Sequence, residues 1–289
     1  MSKIIECENI THYYGNRLIY ENLSFDVEQG KVLGLLGKNG TGKTTIINIL
    51  NGYLKPRSGV CRLFGEEMEH LSPLTKSKVG LLLEGHVQHA YFTVSQIEKF
   101  FPKWKKEAYY ELLKKLQVLP SQKLSTMSCG QRSQVALGLL FAQDPELLIL
   151  DDFSMGLDPG YRRLFVEYLR EYASAENKTV FLTSHIIQDM ELLIDDCMIM
   201  DYGRLLLHKP VKEIMHHFKR YRFTRPGDTF KLEGDEDFWY PSALGDKWEV
   251  YSFLPKAEVE QRLKAMGVTE ITEEDLSLED AFIGLTGKY

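Results

Sequence analysis

Long hydrophobic runs are missing from this sequence: none approaches the roughly 18 consecutive apolar residues that a membrane-spanning helix requires. A chain of this kind that works at a membrane is expected to work from outside the lipid. Cysteine is scarce. Cys7, Cys61, Cys129 and Cys197 stand far apart with no C-x-x-C pair, a spacing that argues against a zinc site or disulfide framework and for reduced thiols in a cytosolic protein. Positive charge is not in excess either. Lys and Arg number 35 against 41 Asp and Glu, a formal net charge of −6, so no nucleic-acid partner is expected. The first residues lack the charged-then-apolar order of a signal peptide. Internal repeats and low-complexity segments are also lacking. What is left is ordinary for a globular protein: 44% hydrophobic and 26% charged residues over 289 positions, enough for one large domain or one domain with a small appendage.

Against that background one stretch stands out. Gly37-Lys38-Asn39-Gly40-Thr41-Gly42-Lys43-Thr44-Thr45 follows the apolar run Val32–Leu36 and opens into Ile46, Ile47, Ile49 and Leu50. Strand, glycine-rich turn and helix carry the G-x-x-x-x-G-K-[ST] spacing of a phosphate-binding loop. Glycines let successive backbone N–H groups point at one anion, and the new helix turns its positive end to the same place. Lys43 is expected on the β- and γ-phosphates, and the Thr44 hydroxyl on Mg²⁺.

Around this loop the chain reads as α/β. Residues 3–29 alternate as an antiparallel β start, with a turn at Tyr14-Gly15-Asn16, and Val60–Phe64 is a further short strand. Val79–Leu83, Leu147–Leu150, Thr179–Leu182 and Cys197–Met200 are buried strands separated by helices, which implies a mostly parallel sheet covered on both faces. Between Glu84 and Asp144 the pattern turns helical, with stripes Tyr109, Leu112, Leu113, Leu116 and Val135, Ala136, Leu139, Leu140. Tyr161, Leu164, Phe165, Tyr168, Leu169 and Tyr172 predict an amphipathic helix that begins just after Pro159. Past Pro210 the pattern weakens: Pro226-Gly227-Asp228 and Glu233–Asp237 read as loops, Trp248–Phe253 as a strand, Lys256–Met266 and Leu278–Leu285 as helices.

Two further motifs belong with the phosphate loop. Leu147–Leu150 ends in Asp151, an apolar strand with a carboxylate at its end, as in a Walker B motif. Ligands of a parallel sheet gather at the carboxyl ends of its strands, so Asp151 is expected beside the loop, holding Mg²⁺ through the ion's water shell. Upstream lies Met127-Ser128-Cys129-Gly130-Gln131, which resembles the L-S-G-G-Q signature of ATP-binding-cassette (ABC) ATPases. With that resemblance other positions match one by one. Tyr14 resembles the aromatic residue that stacks on adenine, Gly156-Leu157-Asp158 the D-loop, and Ser184-His185 the segment whose histidine contacts the γ-phosphate. Each also has a plain reading, as a turn tyrosine, a helix-start aspartate and a loop histidine. The resemblance covers residues 3–217. The implied fold is the P-loop NTPase of ABC type: a mostly parallel sheet core, an antiparallel β subdomain and a helical insertion at about 85–145, with residues 218–289 as a small C-terminal α/β accessory region.

Three positions depart from the family pattern. Asp152 stands where the family usually has a glutamate acting as general base. Its carboxylate is one methylene shorter, roughly 1.5 Å, and misplacements near 1 Å can lower a rate about a hundredfold. Glu84 stands where glutamine is common, and is a candidate for both a catalytic role and Mg²⁺. Cys129 fills a glycine position near a helix N-terminus, where a thiol becomes more acidic. A tolerated small residue is the plainer account.

The resemblance implies an ATPase that dimerises head to tail around two ATP. Ser128, Gly130, Gln131 and Asp158 of one chain would serve the nucleotide on Lys43 of another, a second copy or a paralogue. A separate integral-membrane permease is the implied partner, bound from the cytoplasmic face. The ending Leu276-Ser277-Leu278-Glu279-Asp280-Ala281-Phe282-Ile283 resembles subunits of the multidrug and ABC-2 exporter type. Phe92, Phe100, Phe101, Trp104, Tyr109 and Tyr110 are expected mostly in the core of the insertion, with some at a permease groove. Two alternatives stay open: a weakly or non-hydrolysing regulatory subunit, because of Asp152, and a soluble ABC ATPase without a transport role.

Overall fold

Apolar residues that alternate along two consecutive segments, with a tight turn between them, make a hairpin. β1 (Lys3–Tyr14) and β2 (Arg17–Glu28) pair antiparallel from Tyr14↔Arg17 to Lys3↔Glu28. Gly15 supplies the positive φ, 59°, of the turn. β4 (Ser58–Leu63) pairs antiparallel with β1 and puts Cys61 opposite Cys7, and β5 (Glu66–Glu67) completes the order β2-β1-β4-β5. The structure is a computed structural model that describes residues 2–83, 91–101, 103–115, 117–154, 156–175, 177–224, 232, 235–245 and 247–287.

A second sheet holds the continuous apolar runs. Its strands are β3 (Val32–Gly37), β6 (Val79–Leu82), β7 (Leu147–Leu150), β8 (Thr179–Thr183), β9 (Asp196–Asp201) and β10 (Arg204–Pro210), in the order β10-β9-β3-β8-β7-β6. β3 runs parallel to β8 and β9, and β7 parallel to β6 and β8. Every residue of β7 and β8 is buried, as runs covered on both faces must be. The helices between them are α1 (Lys43–Leu50), α2 (Pro73–Ser77), α6 (Pro159–Ala175) and α7 (Ile187–Leu193). Ser72 caps α2 through a bond from Thr75 N–H, with Pro73 in its first turn.

The insertion between β6 and β7 is helical: α3 (Val94–Ile97), α4 (Lys106–Lys115) and α5 (Cys129–Ala142). Tyr109, Leu113, Val118, Leu124, Val135 and Leu139 form its core. Leu116, the last position of the first stripe, lies outside the described residues, as do Glu84 and Pro226-Gly227-Asp228. Of the aromatic cluster, Tyr109 is buried and Phe101, Trp104 and Tyr110 pack partly buried against it, while the side chain of Phe100 is outside the described residues. Phe92 is exposed. The stripe on α6 is wider than the face it buries. Phe165, Leu169 and Tyr172 are inside, while Tyr161, Leu164 and Tyr168 are 44%, 60% and 48% exposed. Those three flank a cavity of about 420 Å³ lined also by Tyr109, Leu112, Leu137 and Phe141 of α4 and α5.

The chain divides into two compact units, Met1–Leu205 and Leu206–Tyr289, and the division falls inside β10. The second unit carries α8 (Val211–His217), α9 (Lys256–Ala265) and α10 (Leu278–Thr286) with an antiparallel sheet. Its strands are β11 (Lys219–Thr224), β12 (Trp239–Leu244), β13 (Lys247–Ser252) and β14 (Ile271–Glu274), in the order β12-β13-β11-β14. Tyr221, Val250, Val259 and Leu263 are fully buried within it. Arg220 and Arg222 of β11 share Glu274 of β14 at 2.7 and 2.8 Å.

Candidate functional site

The chain leaves β3 at Gly37 and enters α1 at Lys43 through two left-handed turns, Gly40 at φ 79° and Gly42 at φ 103°. A Cβ at Gly37 would press on Thr41 and on the Met200 carbonyl at 3.0 Å, so the loop folds closely on the sheet end. Gly42 is the N-cap of α1 and has no side chain to cap it, which leaves the N–H groups of the first turn to a ligand. Thr41 Oγ1 donates to the Lys38 carbonyl at 2.8 Å. Lys43 Nζ donates to the carbonyls of Gly37 and Lys38 at 2.6 and 3.1 Å. Asn39, Gly40, Gly42, Lys43, Thr44 and Thr45 line a cavity of about 420 Å³, and Gly37, Lys38 and Thr41 frame the loop without lining it.

The far wall of the cavity comes from the ends of β7 and β8. Asp151, Asp152, Thr183, Ser184 and His185 all line it. Asp151 is 3% exposed, and Thr183 donates to its Oδ1 at 2.8 Å. Its Oδ2 is buried with no hydrogen-bond partner among the described residues. Burial raises the pKa of Asp151 above the usual carboxylate range and the neighbouring Asp152 adds to this, while the Thr183 and Thr44 hydroxyls and the Lys43 ammonium pull it down. Asp152 has φ 45°, in the left-handed region that aspartate tolerates better than most residues. Its Oδ1 accepts the backbone N–H of His185 at 3.3 Å, and its Oδ2 lies 3.6 Å from His185 Nε2. The His185 side chain is about half exposed.

Tyr14, at the tip of the β1–β2 hairpin, is 49% exposed and also lines the cavity. His12 meets its ring edge-on at 5.1 Å. Two residues of β2 that no motif marks brace the phosphate loop. Arg17 Nη2 donates to the Gly40 carbonyl at 3.2 Å, and the Tyr20 hydroxyl donates to the Gly42 carbonyl. Strand alternation does not mark Tyr20, which is out of phase with Leu23, Phe25 and Val27 because the β1–β2 pairing shifts register between Leu23 and Tyr20. Thr183 and Ser184 were legible only as the residues before His185.

The signature segment is elsewhere. Ser128 caps α5: its Oγ accepts Gln131 N–H at 3.2 Å, and Gln131 Oε1 accepts Ser128 N–H at 3.4 Å, a reciprocal capping box. A Cβ on Gly130 would stand 3.5 Å from the Gly156 carbonyl, so signature and D-loop are neighbours. Asp158 Oδ1 accepts the N–H groups of Gly160 and Tyr161 at 3.0 and 3.1 Å at the start of α6. Ser128, Gly130, Gln131 and Asp158 do not line the cavity. Cys129 opens α5, and its side chain is outside the described set, as is the whole of Glu84.

A family model described as ABC transporter matches residues 20–154, from β2 to just past the paired aspartates. The bacitracin transport ATP-binding protein BcrA of Bacillus licheniformis is 30% identical over 301 aligned residues, covering 99% of this chain and 98% of that protein. The chain belongs to the ABC transporter family of ATP-binding proteins. The Nod factor export ATP-binding protein I of Cupriavidus metallidurans is 29% identical over 308 residues, with 100% and 99% covered. Among solved structures, an ATP-binding subunit of an ABC transporter matches with a TM-score of 0.65 at 24% identity, over 74% of this chain and 92% of that one. A dimeric ATP-binding cassette in a post-hydrolysis state bound to ADP and Pi matches with a TM-score of 0.62 at 17% identity, over 72% and 99%. At those identities the likeness speaks for the fold.

Proposed function

We propose that this ABC subunit binds ATP with Mg²⁺, hydrolyses it as one half of a head-to-tail pair, and drives a separate integral-membrane permease from the cytoplasmic face, in the direction of export. One observation carries the reading: Lys43 and Thr44 of the loop, Asp151 and Asp152 after β7, and His185 after β8 open onto the same cavity.

In this reading Tyr14 stacks on adenine, and the first-turn N–H groups of α1 with Lys43 hold the phosphates. The donor set suits Mg²⁺, a hard cation that takes oxygen ligands and keeps several waters. Thr44 and Asp151 would hold it, the latter through an Oδ2 that is buried and unpartnered among the described residues, with Glu84 as a third candidate by sequence. When bound, the ion neutralises charge developing on the transferred phosphoryl group. Asp152 accepts the proton of the attacking water. His185 keeps the Asp152 carboxylate oriented through its backbone N–H and turns its ring to the γ-phosphate. In-line attack then depends on positioning, which is where an aspartate in place of a longer acid slows the step.

Ser128, Gly130, Gln131 and Asp158 stand off their own chain's cavity, which supports their service to a nucleotide on a second copy or a paralogue. Export and the permease rest on the relatives named for bacitracin transport and Nod factor export.

Phosphate release from the full-length chain tests the assignment. Lys43→Ala is expected to abolish ATP binding. Asp152→Asn should retain binding and lose turnover by about a hundredfold. The Asp at position 152 also favours a second reading, a regulatory subunit that binds ATP without hydrolysing it. Equal, negligible turnover in wild type and Asp152→Asn would establish that reading and remove the first.

A further inference from the structure

The ends of β7 and β8 are laced together by side chains that no motif assigns. Thr183, the last residue of β8, is 2% exposed. Its hydroxyl donates to Asp151 Oδ1 at 2.8 Å, and the same oxygen accepts the backbone N–H of Asp152 at 2.9 Å. One oxygen thus spans both acidic residues. A second rung follows, where the hydroxyls of Ser154 and Ser184 lie 2.9 Å apart in the interior. A third is the His185 N–H on Asp152 Oδ1.

The middle of this lacing is a backbone in an uncommon conformation. Asp152 at φ 45° holds a geometry that persists only where its surroundings over-determine it. The Thr183 bond lands on the backbone of that residue. It also occupies Asp151 Oδ1, so the carboxylate atom that stays unpartnered among the described residues is Oδ2.

We infer that Thr183 is a positioning residue for ATP hydrolysis: its hydroxyl selects the oxygen that Asp151 offers to the cation and sets where the Asp152 carboxylate stands. The inference rests on the proposed roles of Asp151 and Asp152. Valine has the shape of threonine but can neither donate nor accept, so Thr183→Val strips Asp151 Oδ1 of its donor and Asp152 N–H of its acceptor at one stroke.

The test uses the full-length chain with three readouts: ATP binding in EDTA, the tightening of ADP binding by Mg²⁺ followed by calorimetry, and kcat with KM. Thr183→Val should bind ATP without Mg²⁺ within about twofold of wild type. The Mg²⁺ enhancement should weaken about tenfold and kcat fall about 10- to 100-fold with KM little moved, the range seen when a residue supporting metal ligands is removed. Thr183→Ser keeps the hydroxyl and should restore both. Unchanged kcat and Mg²⁺ dependence in Thr183→Val would overturn the inference. So would loss of Mg²⁺-free binding together with kcat in both variants, which marks a merely structural threonine. A wild-type chain that binds ATP and never turns it over defeats the proposed hydrolysis instead, and the Mg²⁺ readout still decides on Thr183.

Discussion

Tyr20 of β2 donates its hydroxyl proton to the carbonyl of Gly42, the residue that starts α1. The tyrosine is fully buried, and a Cβ at Gly42 would collide with its ring. The antiparallel hairpin that carries Tyr14 is thereby tied to the phosphate loop. Tyr20→Phe removes this donor while the Gly42 carbonyl keeps its helical bond from Ile46 N–H at 3.0 Å, a loss of about 0.5–1.5 kcal/mol. Thermal unfolding should shift down and the ATP Kd should rise several-fold. An unchanged Kd at an unchanged melting temperature would show that the brace is idle. Gly42→Ala should do more harm, since φ 103° is closed to alanine without strain.

Much of this site was legible from spacing alone. Gly37–Thr45 and Leu147–Asp151 are local patterns, and each kind of residue in them has a direct physical task. The bracing was not. Tyr20–Gly42, Arg17–Gly40 and Thr183–Asp151 join positions 22, 23 and 32 residues apart, and a strand pattern says only which side a residue faces. The α6 stripe shows the same limit. Periodicity marks Tyr161, Leu164 and Tyr168 as one set with Phe165 and Leu169, yet the first three remain exposed because burial depends on what packs opposite.

The corner between β5 and α2 should carry a pH signature. Glu66 accepts Ser72 N–H at 2.8 Å, Thr75 Oγ1 at 2.8 Å and Ser72 Oγ at 3.1 Å. The Ser72 N–H first, then the Thr75 hydroxyl, hold its pKa below the ordinary 4.5. A depressed folded-state pKa means stability that is fully present above the unfolded value and lost as pH falls through the folded one. Wild type should therefore melt higher than Glu66→Gln at about pH 7, and the gap should narrow from about pH 4.5 downward. A gap that stays constant to about pH 3 would refute the assignment.

In the insertion, Trp104 stacks on Phe101 at 5.9 Å and meets Tyr109 edge-on at 5.0 Å. Its Nε1 is buried with no hydrogen-bond partner among the described residues. Trp104→Ala removes the packing and should destabilise by about 3 kcal/mol. Trp104→Phe keeps an aromatic ring and discards the unpaired N–H, so its loss should be under about 1.5 kcal/mol. Denaturant unfolding of the two variants separates these values. Equal destabilisation would mean that the indole N–H, not the ring, supports the fold.

Cys7 and Cys61 face each other across β1 and β4 with sulfurs 3.2 Å apart, both buried. Burial, reinforced by the neighbouring thiol, holds the Cys7 pKa well above the usual thiol range, and burial does the same to Cys197. The nucleophile is the thiolate, so closeness of two sulfurs does not make this pair reactive while the sheet is closed. In a Cys129→Ser background, a thiol reagent at about pH 7 should leave Cys7, Cys61 and Cys197 unmodified in the native chain and label all three after denaturation. Labelling resolved by peptide mass spectrometry reads each site separately. Rapid native labelling of Cys7 and Cys61, with Cys197 still protected, would mean that β4 leaves β1 on the timescale of the reagent and that the first sheet opens independently of the second.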